Sequence, residues 1–320
     1  MSVARSLDGR TAVVTGAARG LGAGMAGALV RRGARVALLG LEAKELARTA
    51  AALPEGSAHW WVVDVSDAGA MERTAALVRS RFGSPSVVVG NAGIAETGPF
   101  VDSDPDEWRR VVEVNVVGSA VTARVFLPDL LRTRGYYLQV SSLAALAPAP
   151  LMSAYCTSKA GAETFAQVLR AEVAHRGVGV GVAYLSWADT EMIRAGDSTR
   201  ALRALRSALP WPASRTYAAP VVAERLVRGV ERRAATVDAQ QWVRGVRLAR
   251  AWLPPLVTLR SRWLMRHLER EGGAAASGPL GEGGVAAAAG RADEAGGHGR
   301  GCGRGRSPGS GSDRDRGPTG

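Results

Sequence analysis

The sequence predicts an α/β protein organised around a doubly wound parallel sheet, and three observations carry that expectation. Short apolar, β-rich runs alternate with helix-period segments from Thr11 to Asp238, a pattern that buries parallel strands between two layers of helices. The first run breaks into a glycine-rich turn, Gly16-Ala17-Ala18-Arg19-Gly20-Leu21-Gly22, which opens directly into a helical pattern. The chain has 320 residues, 46% hydrophobic and 22% charged, enough to bury one large core.

Taken in order, Thr11–Thr15 is the first strand and Leu21–Arg32 its helix, closed by Gly33. The turn between them has glycines at 16, 20 and 22. A strand, glycine turn and helix in succession let backbone N–H groups approach a pyrophosphate at the positive end of the helix. A ligand-free βα turn with the same glycines stays open at this point. Arg35–Leu39 is the second strand. Gly40 stands at its end, where an acidic side chain would bind a ribose diol and repel a 2′-phosphate. Arg19 in the glycine turn can pair with a phosphate, while Glu42 pulls the other way, so the balance favours NADP(H) over NAD(H).

Further units follow. His59–Val63 ends at Asp64-Val65, and Asp67–Phe82 is its helix. Val87–Val89 leads into Asn91-Ala92-Gly93, a turn at the carboxyl end of a strand, where open sheets of this kind bind ligands. Ser103-Asp104-Pro105 starts a helix running from Asp106 toward Leu131. Asn115 sits in its middle, a poor helix-interior residue with either a polar task or a local partner. Tyr136–Val140 is the fifth strand and Gly179–Leu185 the sixth. Ala218–Arg232 forms a helix, and Ala235–Asp238 a last short strand.

The fifth strand delivers Ser141-Ser142, and the helix behind it, extending to about His175, carries Tyr155-Cys156-Thr157-Ser158-Lys159. Residues four apart share a helix face. An ammonium beside a phenol favours the phenolate, which predicts a Tyr155 pKa drawn below its usual value of about 10. With a hydroxyl from Ser142 facing it, the set is a proton-transfer site for a carbonyl or an alcohol. Tyr-x-x-x-Lys arises by chance on many helices, but composition sharpens the case. Among 41 basic residues only Lys44 and Lys159 are lysine, and Asn91 and Asn115 are the only asparagines. A compact ammonium with an adjustable pKa is a different tool from an arginine.

Composition also bounds the function. No apolar run approaches the ~20 residues of a membrane span, and Met1–Arg10 lacks an apolar leader core. Cys156 and Cys302 are far apart, which argues against a structural disulfide and fits a reducing cytoplasm. The net charge of +12 invites a nucleic-acid reading. The arginines are spread over many helix-like segments, however, and with abundant Ala and Gly they read as base composition rather than a binding surface.

These pieces in this order resemble the short-chain dehydrogenase/reductase family over roughly Leu7 to Asp238. Thr15-Gly16-x-x-x-Gly20-x-Gly22 is similar to its cofactor loop, Asp64 with Val65 to its adenine contact, and Asn91-Ala92-Gly93 to its sheet-stabilising turn. Asn115, Ser142, Tyr155 and Lys159 resemble its catalytic tetrad. The resemblance implies a Rossmann-like, single-domain fold and an NAD(P)-dependent oxidoreductase with no metal in its site. In that scheme Tyr155 is the general acid/base, Ser142 orients the substrate oxygen, and Lys159 holds the nicotinamide ribose and lowers the Tyr155 pKa. Asn115 supports a water that links Lys159 to solvent. Thr190 would contact the nicotinamide amide, although Leu185-Ser186-Trp187-Ala188-Asp189-Thr190 lacks the Pro-Gly that usually precedes it. A dinucleotide-binding regulator without turnover is the alternative, and the intact Ser142, Tyr155 and Lys159 set argues against it.

The expected domain plan follows. Residues 1–238 form the catalytic domain, with a lid at about 187–217 that mixes apolar residues with arginine. Together with the apolar loop Leu143–Met152 it suggests a pocket for a small apolar alcohol or ketone. Residues 239–271 form a basic amphipathic helical extension split at Pro254-Pro255. It can lie on an anionic membrane surface, or pack on the body or on a second copy in a homo-oligomer, and packing is favoured. Residues 272–320, rich in Gly, Ala, Ser and Arg, are expected to be a disordered tail.

Overall fold

The computed structural model describes residues 6–270 and, beyond them, residues 277, 278, 280, 281 and 284–286. The parallel sheet is as expected. Its strands are β1 (Thr11–Thr15), β2 (Arg35–Gly40), β3 (Ala58–Val62), β4 (Val87–Gly90), β5 (Tyr136–Val140) and β6 (Gly179–Tyr184). Two further short strands, β7 (Ala188–Asp189) and β8 (Tyr217–Ala218), pair with each other beside it, and β9 (Thr236–Asp238) closes the main sheet. The order across the main sheet is β3-β2-β1-β4-β5-β6-β9, with every pairing parallel. The order reverses between β1 and β4, where a doubly wound sheet leaves a crevice at its carboxyl edge.

Alternation along the central strands divides the core into two layers. Ala12, Val14, Val36, Leu38, Val87 and Val89 face α1 (Gly20–Arg31), α2 (Ala43–Ala51) and a late helix, Ala219–Glu231. Val13, Ala37, Leu39, Val88 and Tyr137 face α3 (Ala68–Phe82), α4 (Pro105–Val112), α5 (Gly118–Thr133) and α6 (Ser153–Val173). The helix expected from Asp106 to Leu131 is interrupted: a π-helical turn, Glu113–Val117, joins α4 to α5 and carries Asn115. The continuous run Pro105–Thr133 is long and apolar enough to cross a membrane by length and composition, which the sequence reading did not foresee. Half of its most apolar window is nevertheless buried, and α5 packs on β4, β5 and α3.

The lid holds two helices, α7 (Glu191–Ser198) and α8 (Arg200–Ser207). The late helix is then α9 (Ala219–Glu231). The extension folds as α10 (Gln241–Leu248) and α11 (Leu253–Arg270), joined by a 3₁₀ turn at Arg250–Trp252. The break thus falls before Pro254-Pro255, not at it. Both prolines occupy the first turn of α11, where a missing N–H and a fixed φ carry no penalty. Buried Glu163 on α6 pairs with Arg250, and Asp238 pairs with Arg247, which ties the extension to the body. Of the stretch expected to be structureless, Ser277 and Leu280 are hydrogen-bonded to Thr97 and Ala95. Apart from residues 278, 281 and 284–286, the remainder of that tail, with Cys302, lies outside the described residues.

Candidate active site

The carboxyl ends of β1 and β4 are joined by side chains. Asn91 Nδ2 donates to the carbonyls of Thr15 and Gly16 at 3.0 and 3.2 Å, and the Asn91 and Ala92 N–H groups donate to Thr15 Oγ1. This holds the glycine turn against the neighbouring strand. Gly22 packs so closely under it that a Cβ there would lie 2.0 Å from the Gly16 carbonyl oxygen. Gly16 and Gly20 have φ of +62° and +55°, a region that L side chains enter only at a cost. Helix α1 begins here with no side-chain cap and no acidic residue in its first turn, so its positive end is left to an anion.

Around that end the structure refines the expected contacts. Gly40, Leu41 and Glu42 at the end of β2 line the same cavity as Gly16, Arg19, Gly20, Leu21 and Gly22. Arg19 is paired with two carboxylates, Glu42 at 3.4 Å and Glu191 at the start of α7. The Glu191 contact was invisible in the sequence, because 172 positions separate the partners. Asp64 accepts from the N–H and hydroxyl of Ser66 and pairs with Arg110. Burial raises its pKa, but these bonds outweigh it and hold the carboxylate below its usual range. Thr190 approaches the turn, 3.3 Å from where a Gly20 Cβ would stand.

Three elements bring the remaining predicted residues together. Ser142 follows β5, Tyr155 and Lys159 share a face of α6, and Asn115 enters from the π turn, a deformation that recurs at functional sites. The Ser142 hydroxyl accepts from the Ala144 N–H at 3.2 Å and lies near enough to the Tyr155 phenol to lower its pKa. Lys159 Nζ lies 5.6 Å from the Tyr155 ring centroid and donates to the Val140 carbonyl at 3.4 Å. A Cβ on Gly93 would fall 3.0 Å from Asn115 Oδ1 and 3.1 Å from Lys159 Nζ, so Gly93 is where these two converge.

Asn115 spends its amide on structure. Its Oδ1 accepts from the Ile94 N–H, and its Nδ2 donates to the Ile94 carbonyl and to Ser158 Oγ. Ser158 in turn donates to the Tyr155 carbonyl. The asparagine therefore positions both the β4 turn and α6.

The electrostatics correct one expectation. Burial pushes the Tyr155 phenol up to about 12, the Ser142 hydroxyl only partly offsetting this, and burial pulls the Lys159 ammonium down to about 8. The predicted lowering of Tyr155 by Lys159 is thus reversed by the protein's own groups. Desolvation of both sites is larger than their mutual effect.

All of this surrounds one cavity of about 370 Å³, which runs from the glycine turn past Asp64, Val65, Asn91, Ala92 and Gly93 to Ser142, Tyr155, Lys159 and Thr190. Close-packed glycines, an uncapped helix start and a continuous channel to the Tyr–Lys pair fit an extended dinucleotide. Among proteins compared by sequence, the profile described as short chain dehydrogenase matches residues 10–201, more than half of the chain. The chain belongs to the short-chain dehydrogenase family.

Relatives agree in kind. Over 184 residues, 56% of this chain, it is 39% identical to a probable oxidoreductase, EphD, of Mycobacterium tuberculosis, of whose length the match spans 31%. It is 33% identical over 177 residues to the D-threitol dehydrogenase of Mycolicibacterium smegmatis, covering 54% of this chain and 68% of that one. It is likewise 33% identical over 177 residues to 2-(S)-hydroxypropyl-CoM dehydrogenase 3 of Xanthobacter autotrophicus, covering 54% and 69%.

As a short-chain dehydrogenase, the chain has an unusual substrate side. The segment without Pro-Gly runs without regular structure into β7; in it Ser186 donates its N–H to Gln240 and Trp187 accepts at its carbonyl from the Tyr217 N–H. Ser186 Oγ and Trp187 Nε1 are buried without a hydrogen-bond partner, and both residues line the cavity. Trp187 packs on the same apolar cluster as Tyr155, with Leu151, Met152, Leu202, Leu205 and Leu264. Buried Leu280 completes the wall, and its N–H donates to the Ala95 carbonyl at 2.8 Å. Sequence reasoning missed Trp187 and Leu280 as site residues. The replacement of Pro-Gly was a signal for the first; a glycine-rich tail offered none for the second.

Proposed function

We propose that the protein is an NAD(P)-dependent oxidoreductase that interconverts a secondary alcohol and a ketone on an apolar substrate. The observation that carries this reading is the single cavity joining the glycine turn to Ser142, Tyr155 and Lys159. A bound nicotinamide dinucleotide supplies the hydride chemistry. Gly16, Gly20 and Gly22 with the start of α1 would hold its pyrophosphate, Asp64 and Val65 its adenine side, and Lys159 and Thr190 its nicotinamide side.

Tyr155 Oη exchanges a proton with the substrate oxygen, and Ser142 Oγ orients and polarises that oxygen by a hydrogen bond. At neutral pH the protein's own groups leave Tyr155 as phenol and Lys159 as ammonium, a donor state that supports ketone reduction. The walls around Trp187 and Leu280 exclude water and admit an apolar body, while the indole N–H is available to a second acceptor on the substrate. NADP(H) is the cofactor we favour, because Gly40 removes the acidic selector and Arg19 is the cation at that end of the cavity. Glu42 is the partner a 2′-phosphate would displace from it.

The test is the purified full chain with a panel of apolar ketones and NADPH or NADH, followed by loss of nicotinamide absorbance. Turnover with a member of the panel is expected. NADPH binding without turnover on any of them would sink the enzyme reading, and a lower dissociation constant for NADH would overturn the cofactor preference.

A further inference from the structure

Helix α11 has two apolar faces. One, with Val257, Leu264 and Leu268, is turned inward: Val257 and Leu264 line the cavity, and Leu264 and Leu268 are buried in the substrate-side cluster. The other is turned outward. Leu256, Leu259 and Trp263 recur at helical spacing on one face, Trp252 precedes them by a turn, and Leu248 extends the patch onto α10. Each of the five is at least 60% exposed.

Charge is as uneven as hydrophobicity. From Gln241 to Arg270 there are seven arginines and a single acid, Glu269. Arg247 and Arg250 are committed to Asp238 and Glu163 of the body, and Arg260 donates to the Ala208 carbonyl. Arg244, Arg262, Arg266 and Arg270 are exposed beside the apolar patch.

We propose that this outer face docks on an anionic phospholipid bilayer and presents the substrate cleft to it. Exposed Trp and Leu side chains insert at the interface between headgroups and acyl chains, where indoles are favoured, and flanking arginines reach lipid phosphates. A second copy of the chain is a poorer occupant. A twofold contact would set this arginine-rich face against itself with almost no acid to answer it. A nucleic acid would need the cations, not the tryptophans, at the centre of the patch.

The cleft's position fits the same occupant. A groove lined by Pro150, Pro254, Thr258 and Arg262 shares Val257 and Ser261 with the main cavity. Arg262 of that groove is one of the exposed arginines that flank the docking face, so the cavity reaches the surface on that flank of α11, where an apolar substrate dissolved in the bilayer enters the cleft of Tyr155. That last clause rests on the oxidoreductase reading; the docking does not.

The experiment is co-sedimentation of the full chain with phosphatidylcholine vesicles, with and without phosphatidylglycerol. Binding is expected only with the anionic lipid, and it is expected to weaken as salt is raised. The triple variant Trp252→Ser, Leu256→Ser, Trp263→Ser removes exposed side chains alone, so its melting temperature is expected to match the parent's. Its vesicle affinity is expected to fall on the order of a hundredfold.

No sedimentation of the parent with anionic vesicles overturns the proposal. So does a triple variant that binds them as well as the parent, since the arginines alone would then hold the protein. Self-association of the parent that the variant abolishes, without lipid binding, assigns the face to a second copy instead. Vesicle binding by a protein that reduces no ketone leaves the docking intact and removes the enzyme reading.

Discussion

The two halves of the cleft are built differently. The cofactor half is a set of strand ends locked by close glycine contacts and by the Thr15–Asn91 bonds, with its left-handed backbone carried by Gly16 and Gly20. The substrate half is assembled from lid helices, α11 and Leu280. It places a large side chain, Leu151, in left-handed backbone at φ +66°, held by the Gly98 N–H at its carbonyl, and it leaves the Trp187 N–H without a partner. The first half is rigid in its own contacts and leaves the start of α1 to an anion. The second keeps a leucine in costly left-handed backbone and a buried indole N–H that no protein group meets.

Substitutions on either side of that boundary test the division. The largest effect is expected from Tyr155→Phe, which should cut turnover by about 10²–10⁴ while leaving the NADPH dissociation constant unchanged. Substantial remaining activity would assign the proton transfer elsewhere.

Lys159→Met should also damage turnover, yet raise stability at pH 7 by about 1–3 kcal/mol, because it removes a buried ammonium. The sign follows from the shift. Between about 8, its folded value, and its ordinary 10.5, the unfolded chain keeps a proton that the folded chain has released. Stability therefore gains from this group as pH rises through that window, and Lys159→Met should flatten the gain. Melting temperatures from pH 7 to 10 measure it, and an unaltered slope would contradict the burial argument.

Gly22→Ala belongs to the rigid half. Its Cβ would meet the Gly16 carbonyl, so the variant is expected to lose about 1–3 kcal/mol of stability together with NADPH binding. Normal binding would mean that the turn is softer than its packing indicates. The smallest effect lies in the adaptable half. Trp187→Phe removes one N–H and is expected to raise KM about three- to tenfold for substrates with a second acceptor, with kcat nearly unchanged. An equal change for substrates without that acceptor would reduce Trp187 to a wall.

The division also explains what could be read in advance. β1, β2 and β4–β6 were legible because each is a short apolar run bounded by turn residues, and their parallel, doubly wound arrangement followed from alternation with helices. Asn115 stood out as a polar residue in a helix interior, but the π turn that accommodates it did not, since it depends on how α4 and α5 meet Gly93 and α6. The Tyr155 pKa went the wrong way because helix spacing places the lysine near the phenol and says nothing of how deeply both are buried.

By itself, the sequence determined the local pieces: strand and helix periods, the glycine spacing that shapes the turn, and the four-residue step between Tyr155 and Lys159. These are near-neighbour properties, governed by backbone sterics and helix geometry. Only the tertiary structure decided the pairing of Arg19 with Glu191, the wall formed by Trp187 and Leu280, the protonation of Tyr155 and Lys159, and which face of α11 is left to solvent. Those depend on desolvation and on contacts between residues far apart in the chain, and both arise only when the whole fold closes.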